Sequence, residues 1–150
     1  MAEKVKSAAY LYNWSYYKTL DNLMDNRTLA LTKFLLNYRQ GQQEHRYIKA
    51  KLPKLPFNNK SFDLVLSGHF LFTCANKFDF DFHISSVLDL FRIASKEVRI
   101  YPIQEGGLKP YSFMKELLSE LNDHGIDYEI LQVPFEFQKG SNKILRLIHN

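Results

Sequence analysis

From Asp21 onward, the apolar residues Leu23, Met24, Leu31, Phe34, Leu35 and Tyr38 recur at spacings that gather them on one side of a helix. This predicts a helix over about 21–39, with Gly41 as its stop. Residues 8–20, rich in Tyr and holding Trp14, show no period and read as a short helix or an ordered loop laid over a core. His45 to Lys49 reads as a short strand, and Leu52-Pro53-Lys54-Leu55-Pro56-Phe57 then blocks helix and sheet alike, because each proline removes a backbone donor. Phe62-Asp63-Leu64-Val65-Leu66 is apolar on both faces apart from Asp63, the pattern of a central parallel strand.

Asp79 or Asp81 can cap a following helix whose apolar positions are Val87, Leu88, Phe91 and Ile93, ending near Ser95. Glu97-Val98-Arg99-Ile100-Tyr101 makes another strand, stopped by Pro102. After the loop at Gly106 and Gly107, Pro110 suits a first helical turn, and Phe113, Leu117, Leu118 and Leu121 belong to a helix closed by Gly125. The segments 128–133 and 144–148, joined through a turn at Lys139-Gly140-Ser141-Asn142, read as an antiparallel hairpin. The expected fold is therefore α/β, with parallel strands that end in an antiparallel C-terminal hairpin.

The 150 residues, 45% of them hydrophobic and without internal repeat or linker, predict a single domain over 1–150. Twelve Phe and nine Tyr against one Trp mean that flat side chains must supply much of the burial. The net charge of +4 is spread along the chain, which speaks against nucleic acid as a partner; Lys49, Lys51, Lys54 and Lys60 are a solvated loop before they are a basic face. The single Cys74 allows no intrachain disulfide. No apolar run reaches the ~20 residues that cross a bilayer and no apolar stretch follows the charged N-terminus, so no membrane association and a cytoplasmic address are expected.

His45, His83, His124 and His149 lack metal-ligand spacing, so no metal site is expected, and no Gly-x-Ser-x-Gly elbow or phosphate-binding glycine loop is present. Asp63 reads as a structural residue of its strand, and Cys74 as an inert thiol. The best site candidate is Ser67-Gly68-His69, at the carboxyl end of the first parallel strand, where open α/β sheets bind ligands. His69 is the catalytic candidate, since an imidazole can accept a proton from a nucleophile, with capping of the strand as its plainer role.

Two segments carry a family resemblance. Leu55-Pro56-Phe57, followed by Ser61-Phe62-Asp63-Leu64-Val65-Leu66-Ser67-Gly68-His69, resembles the stretch that leads into the fourth strand of class I S-adenosylmethionine-dependent methyltransferases. Glu97-Val98-Arg99-Ile100-Tyr101-Pro102 stands in the place of that family's fifth strand. The run Gly68-His69-Phe70-Leu71-Phe72 and the ending Phe135-Glu136-Phe137-Gln138-Lys139-Gly140-Ser141-Asn142 are similar to one bacterial subgroup, and the likeness covers about residues 20–150. It implies a partial Rossmann-like methyltransferase sheet, S-adenosylmethionine as cofactor and an unknown methyl acceptor. It also implies cofactor binding by Leu55, Phe57, Ser67 and Gly68, substrate binding by Phe70 and Tyr101, and proton transfer by His69.

The departure is as informative. The family's glycine-rich loop after its first strand, and the acidic residue after its second, have no counterpart here. Since the family's first strand lies beside its fourth, the missing strands should leave one edge of 62–66 open. Residues 45–49, a second copy in a homo-oligomer, or a complementing N-terminal half could fill that edge. The resemblance thus implies a methyltransferase active only with its cofactor-binding half. The alternative is a non-catalytic interaction or dimerisation module of the same descent.

Overall fold

The computed structural model describes residues 2–150, with side chains from Val5 onward. The chain packs as two compact units, one comprising residues up to Lys49 with Phe137–Lys139, the other Ala50–Glu136 with Gly140–Asn150.

The first unit contains α1 (Ala2–Ser7), a 3-10 turn at Ala9–Leu11 and the long helix α2 (Leu20–Gln43). Thr19 caps α2 by accepting the Asn22 N–H at 3.1 Å, one turn earlier than Leu23, the first buried residue of the helix. The helix runs past Gly41, and the left-handed residue that ends it is His45, at φ 54°. Gly41 is buried for a different reason: a Cβ there would lie 2.4 Å from the Tyr47 ring. Residues 45–49 form no strand. Tyr47 instead folds back on α2, its ring 5.0 Å from Tyr38 and 6.0 Å from Phe34, so aromatic packing overrides strand propensity. At the other end of this unit Tyr12 stacks on Phe137 at 4.6 Å, with Trp14 and Tyr17 edge-on to the same ring.

The second unit is an α/β layer. Its sheet has the order β1-β2-β4-β3, built from β1 (Phe62–Gly68), β2 (Ala94–Tyr101), β3 (Asp127–Gln132) and β4 (Lys143–Ile148). β1 and β2 are parallel, and β4 runs antiparallel to both β2 and β3, so the expected parallel-then-hairpin arrangement is present. Two helices, α3 (Phe80–Ile93) and α4 (Met114–Asp123), supply the covering layer. Val87, Leu90, Leu117 and Leu121 close over Val65, Val98, Ile100, Leu145 and Leu147 in one cluster, each large aliphatic burial contributing about 1.5–3 kcal/mol.

Two expectations need correction here. β1 is an edge strand and not a central one: of its apolar residues only Val65 is buried, while Leu64 and Leu66 are 43% and 67% exposed. The physical reason is that α3 and α4 pack on the face that Val65, Val98 and Ile100 share, so the alternate residues of the pleat get no cover from the helices of this unit. Pro110 lies outside α4, forming a bridge with Gln104, and the helix starts only at Met114.

Candidate functional site

Asp79 caps α3 by accepting the Phe82 N–H at 2.8 Å, which fixes where the aromatic residues of its first turn emerge. Phe78 stacks on Phe82 at 4.1 Å and meets Phe70 at 5.6 Å. These three rings, with Ala50, Lys51, Leu52 and Leu55, line an apolar pocket of about 330 Å³. Leu55 is held there by α3: its N–H donates to Asp89 at 2.7 Å, and its carbonyl accepts from Arg92 at 3.2 Å. Arg92 also donates to the Phe57 carbonyl at 2.7 Å and to Asp89 at 2.8 Å. Phe57 is half-buried and edge-on to Phe62 at 5.0 Å, and it does not line the pocket.

A second pocket of about 340 Å³ opens at the carboxyl ends of β1 and β2, lined by Leu66, Ser67, Gly68, Arg99, Tyr101, Val133, Phe135 and Ile144. Both volumes sit at the low end of the ~300–1,000 Å³ usual for small-molecule sites. The turn that follows β1 separates the two: Gly68 faces the second pocket, Phe70 the first, and His69 stands between them in the chain. His69 occupies the left-handed region at φ 53°, a conformation that non-glycine residues adopt at a cost. Its N–H donates to the Tyr101 carbonyl at 2.7 Å, which caps the strand as the plainer expectation had it. The imidazole remains exposed, edge-on to the Tyr101 ring at 5.3 Å.

The residues singled out from sequence thus divide into two groups. Ser67, Gly68 and Tyr101 share one pocket, Leu55 and Phe70 share the other, and Phe57 lies outside both. Phe78, Phe82 and Phe135 complete the pockets and were not legible as site residues, although Phe78 and Phe82 stand four apart across a helix start. Asp89 and Arg92 also escaped notice. Their spacing of three along α3 was the only signal.

On the sheet face opposite α3 and α4, Glu97 accepts from Arg99 at 2.6 Å and from Arg146, which reaches on to Glu129 at 3.1 Å. Arg99 and Arg146 lie directly opposite each other in the register, and the carboxylate of Glu97 that they share offsets the repulsion of like charges. The hydrogen bond from Arg146, and then that from Arg99, hold the Glu97 carboxyl below its usual range. Asp63 is exposed and tied to Lys96 at 3.0 Å and Ser95 at 2.8 Å, a structural role as expected.

Beneath the first pocket, His83 is fully buried, its Nε2 3.3 Å from the Leu71 carbonyl and its ring 5.2 Å from Tyr111. Among the described residues the buried Tyr111 hydroxyl meets no hydrogen-bond partner, and burial pushes its pKa up to about 12. Among the described residues no group of three His, Cys, Asp or Glu side chains is placed to hold a metal ion. No helix of the described residues is long and apolar enough to cross a membrane.

The sequence is 32% identical over 134 residues to an uncharacterized protein of Methanocaldococcus jannaschii, a match that takes in 89% of this chain and 57% of that relative. The chain therefore spans little more than half the length of its relative. No protein-family profile and no solved structure matches it.

Proposed function

We propose that this chain is the catalytic and acceptor-facing half of a class I S-adenosylmethionine-dependent methyltransferase. The observation that carries the reading is the turn Gly68-His69-Phe70, whose first and last residues line two different pockets and whose central imidazole is exposed. Group transfer calls for such a layout, since two reactants must meet in line with little reorganisation. The order of parallel strands followed by an antiparallel hairpin, with the edge of β1 left open where the family's first strand lies, supports the same reading.

The residues present suit part of the cofactor. Phe70, Phe78 and Phe82 offer flat apolar surface for the adenine ring with Leu55 beside them, and in this reading the transferable methyl group faces Ser67 and Gly68. Groups for the ribose hydroxyls and the methionine end have no counterpart in the chain, so those must come from a complementing half. When bound, the cofactor supplies an electrophilic methyl group. The chain's own residues do the rest: Tyr101 and Phe135 enclose the acceptor, and His69 takes the proton that the acceptor releases.

Titration of the isotopically labelled chain with S-adenosylmethionine at millimolar concentration, followed by amide chemical shifts, tests the reading. Weak binding with shifts grouped at residues 50–55, 67–70 and 78–82 is expected. Absence of any shift, or shifts confined to other regions, would end it.

A further inference from the structure

The pocket at the carboxyl ends of β1 and β2 lies on the sheet face turned away from α3 and α4. Leu66 pairs with Arg99 and Gly68 with Tyr101 in the parallel register, and they alternate with Val65, Val98 and Ile100, which face the helices. Ile144 reaches the same pocket from β4 and is buried outside the helix-facing cluster. The chain leaving β3 adds Val133 and Phe135 as a wall. Among the described residues that line this pocket of about 340 Å³, Arg99 alone carries a charge. Its guanidinium is half-exposed and gives one hydrogen bond, to Glu97 at 2.6 Å, so most of its donors stay available.

We infer that this pocket takes a small, flat, apolar molecule bearing one carboxylate, which sits on Arg99. Tyr101 and Phe135, with Leu66 and Ile144, offer the apolar surface that a ring system covers. The lone cation sets the charge. A carboxylate meets a guanidinium edge with paired hydrogen bonds, whereas a phosphate monoester would bring a charge of about −1.5 to −2 to an arginine that already holds Glu97. The strand sets the length. Arg99 and Tyr101 stand two residues apart on β2, roughly 7 Å, so a ligand of that span with its carboxylate at Arg99 ends beside Ser67 and Gly68. This deepens the methyltransferase reading by giving the chemical class of the acceptor, and it rests on that reading for the acceptor role alone. The binding itself calls for no cofactor.

The probes are a hydroxynaphthoate, with hydroxyl and carboxylate at opposite ends, and its neutral amide. Each is titrated into the isotopically labelled chain without S-adenosylmethionine and followed by amide chemical shifts. The acid should bind about tenfold more tightly than the amide and shift residues 66–68, 99–101 and 133–135, and added salt should narrow the gap. Arg99→Gln should bring the acid down to the affinity of the amide and leave the amide where it was. Arg99→Lys should keep part of the preference, and Lys96→Gln, toward the other end of β2, all of it. Circular dichroism checks that each variant folds. If Arg99→Gln does not, the comparison of acid with amide on the unaltered chain decides, together with Phe135→Ala, which should weaken both. Four results would overturn the inference: no binding of the acid at millimolar concentration, equal affinity for acid and amide, shifts confined to other residues, or an acid preference that survives Arg99→Gln. Binding of the acid by a chain that shows no shifts with S-adenosylmethionine would overturn only the methyltransferase reading, and the reverse pattern only this inference.

Discussion

Asp89 and Arg92, one turn apart on α3, grip the loop before β1 from both sides: Asp89 accepts the Leu55 N–H while Arg92 donates to the Leu55 and Phe57 carbonyls. A proline-containing segment has few donors with which to hold itself, so these side chains replace the missing backbone bonds. Arg92→Ala should cost about 2–3 kcal/mol, the scale of charge-assisted hydrogen bonds whose partners are left half-buried. Urea unfolding would measure the loss. Faster exchange of the Leu55 amide would locate it in the loop that lines the first pocket.

Gly125 closes α4 at φ 65°, with its N–H donating to the Asn122 carbonyl and the Ile126 N–H to that of Leu121. Open space surrounds the position where a Cβ would stand, so conformation alone penalises a side chain. Gly125→Ala should destabilise the chain by about 1 kcal/mol, while Gly125→Asn should cost less. Thermal unfolding of the two variants side by side checks the order.

Tyr111 makes an alkaline prediction. Its hydroxyl is buried and unpartnered among the described residues; burial raises the pKa from the ordinary 10.0 to about 12, with Glu105 and Glu116 adding to the effect. The neutral form is favoured in the folded state, so this contribution is fully present below pH 10 and is lost as the pH rises toward about 12. Tyr111→Phe removes an unpaired hydroxyl of nearly the same shape. It should leave neutral-pH stability unchanged or slightly higher and flatten the loss between those pH values.

Glu97 behaves in the opposite sense. Arg146 and Arg99 hold its carboxyl below the ordinary 4.5, so its contribution is present above that value and is lost as the pH falls through the lower folded one. Glu97→Gln should flatten the acid limb of the stability curve. The same change leaves Arg99 and Arg146 opposed across β2 and β4 without their shared carboxylate, so stability at neutral pH and low salt should fall, and added salt should restore part of it.

His69 gives the functional counterpart. In an assembled enzyme, His69→Ala should lower kcat by about 10²–10⁴ if the imidazole takes the acceptor's proton. A fall in cofactor affinity with kcat unchanged would assign His69 to the architecture of the turn instead.

The elements of the second unit were legible because their signals are local. Asp79 before an amphipathic run, Gly125 after one, and the turn at Gly140 between two apolar strands each act within a few residues, and each stands where expected. The failures share a cause as well. Gly41 carries a helix-stop signal, but Tyr47 needs the space beside it and His45 takes the left-handed conformation instead. Phe62-Asp63-Leu64-Val65-Leu66 reads as a strand covered on both sides because its composition records what the strand is suited to, not which neighbours it has.

By itself, then, the sequence determined the order of the strands and α-helices from β1 to β4, the cap of α3 at Asp79, the end of α4 at Gly125, and Ser67 and Gly68 at the carboxyl end of β1. Backbone propensity and hydrophobic period decide these over short distances. Only the tertiary structure decided that Phe70 sides with Leu55 while Ser67 and Gly68 side with Tyr101, that α3 clamps the 55–57 loop, and that α3 and α4 both pack on the same face of the sheet. Those outcomes depend on pairings between residues far apart in the chain and on which layers are present to bury them, and no local pattern encodes either.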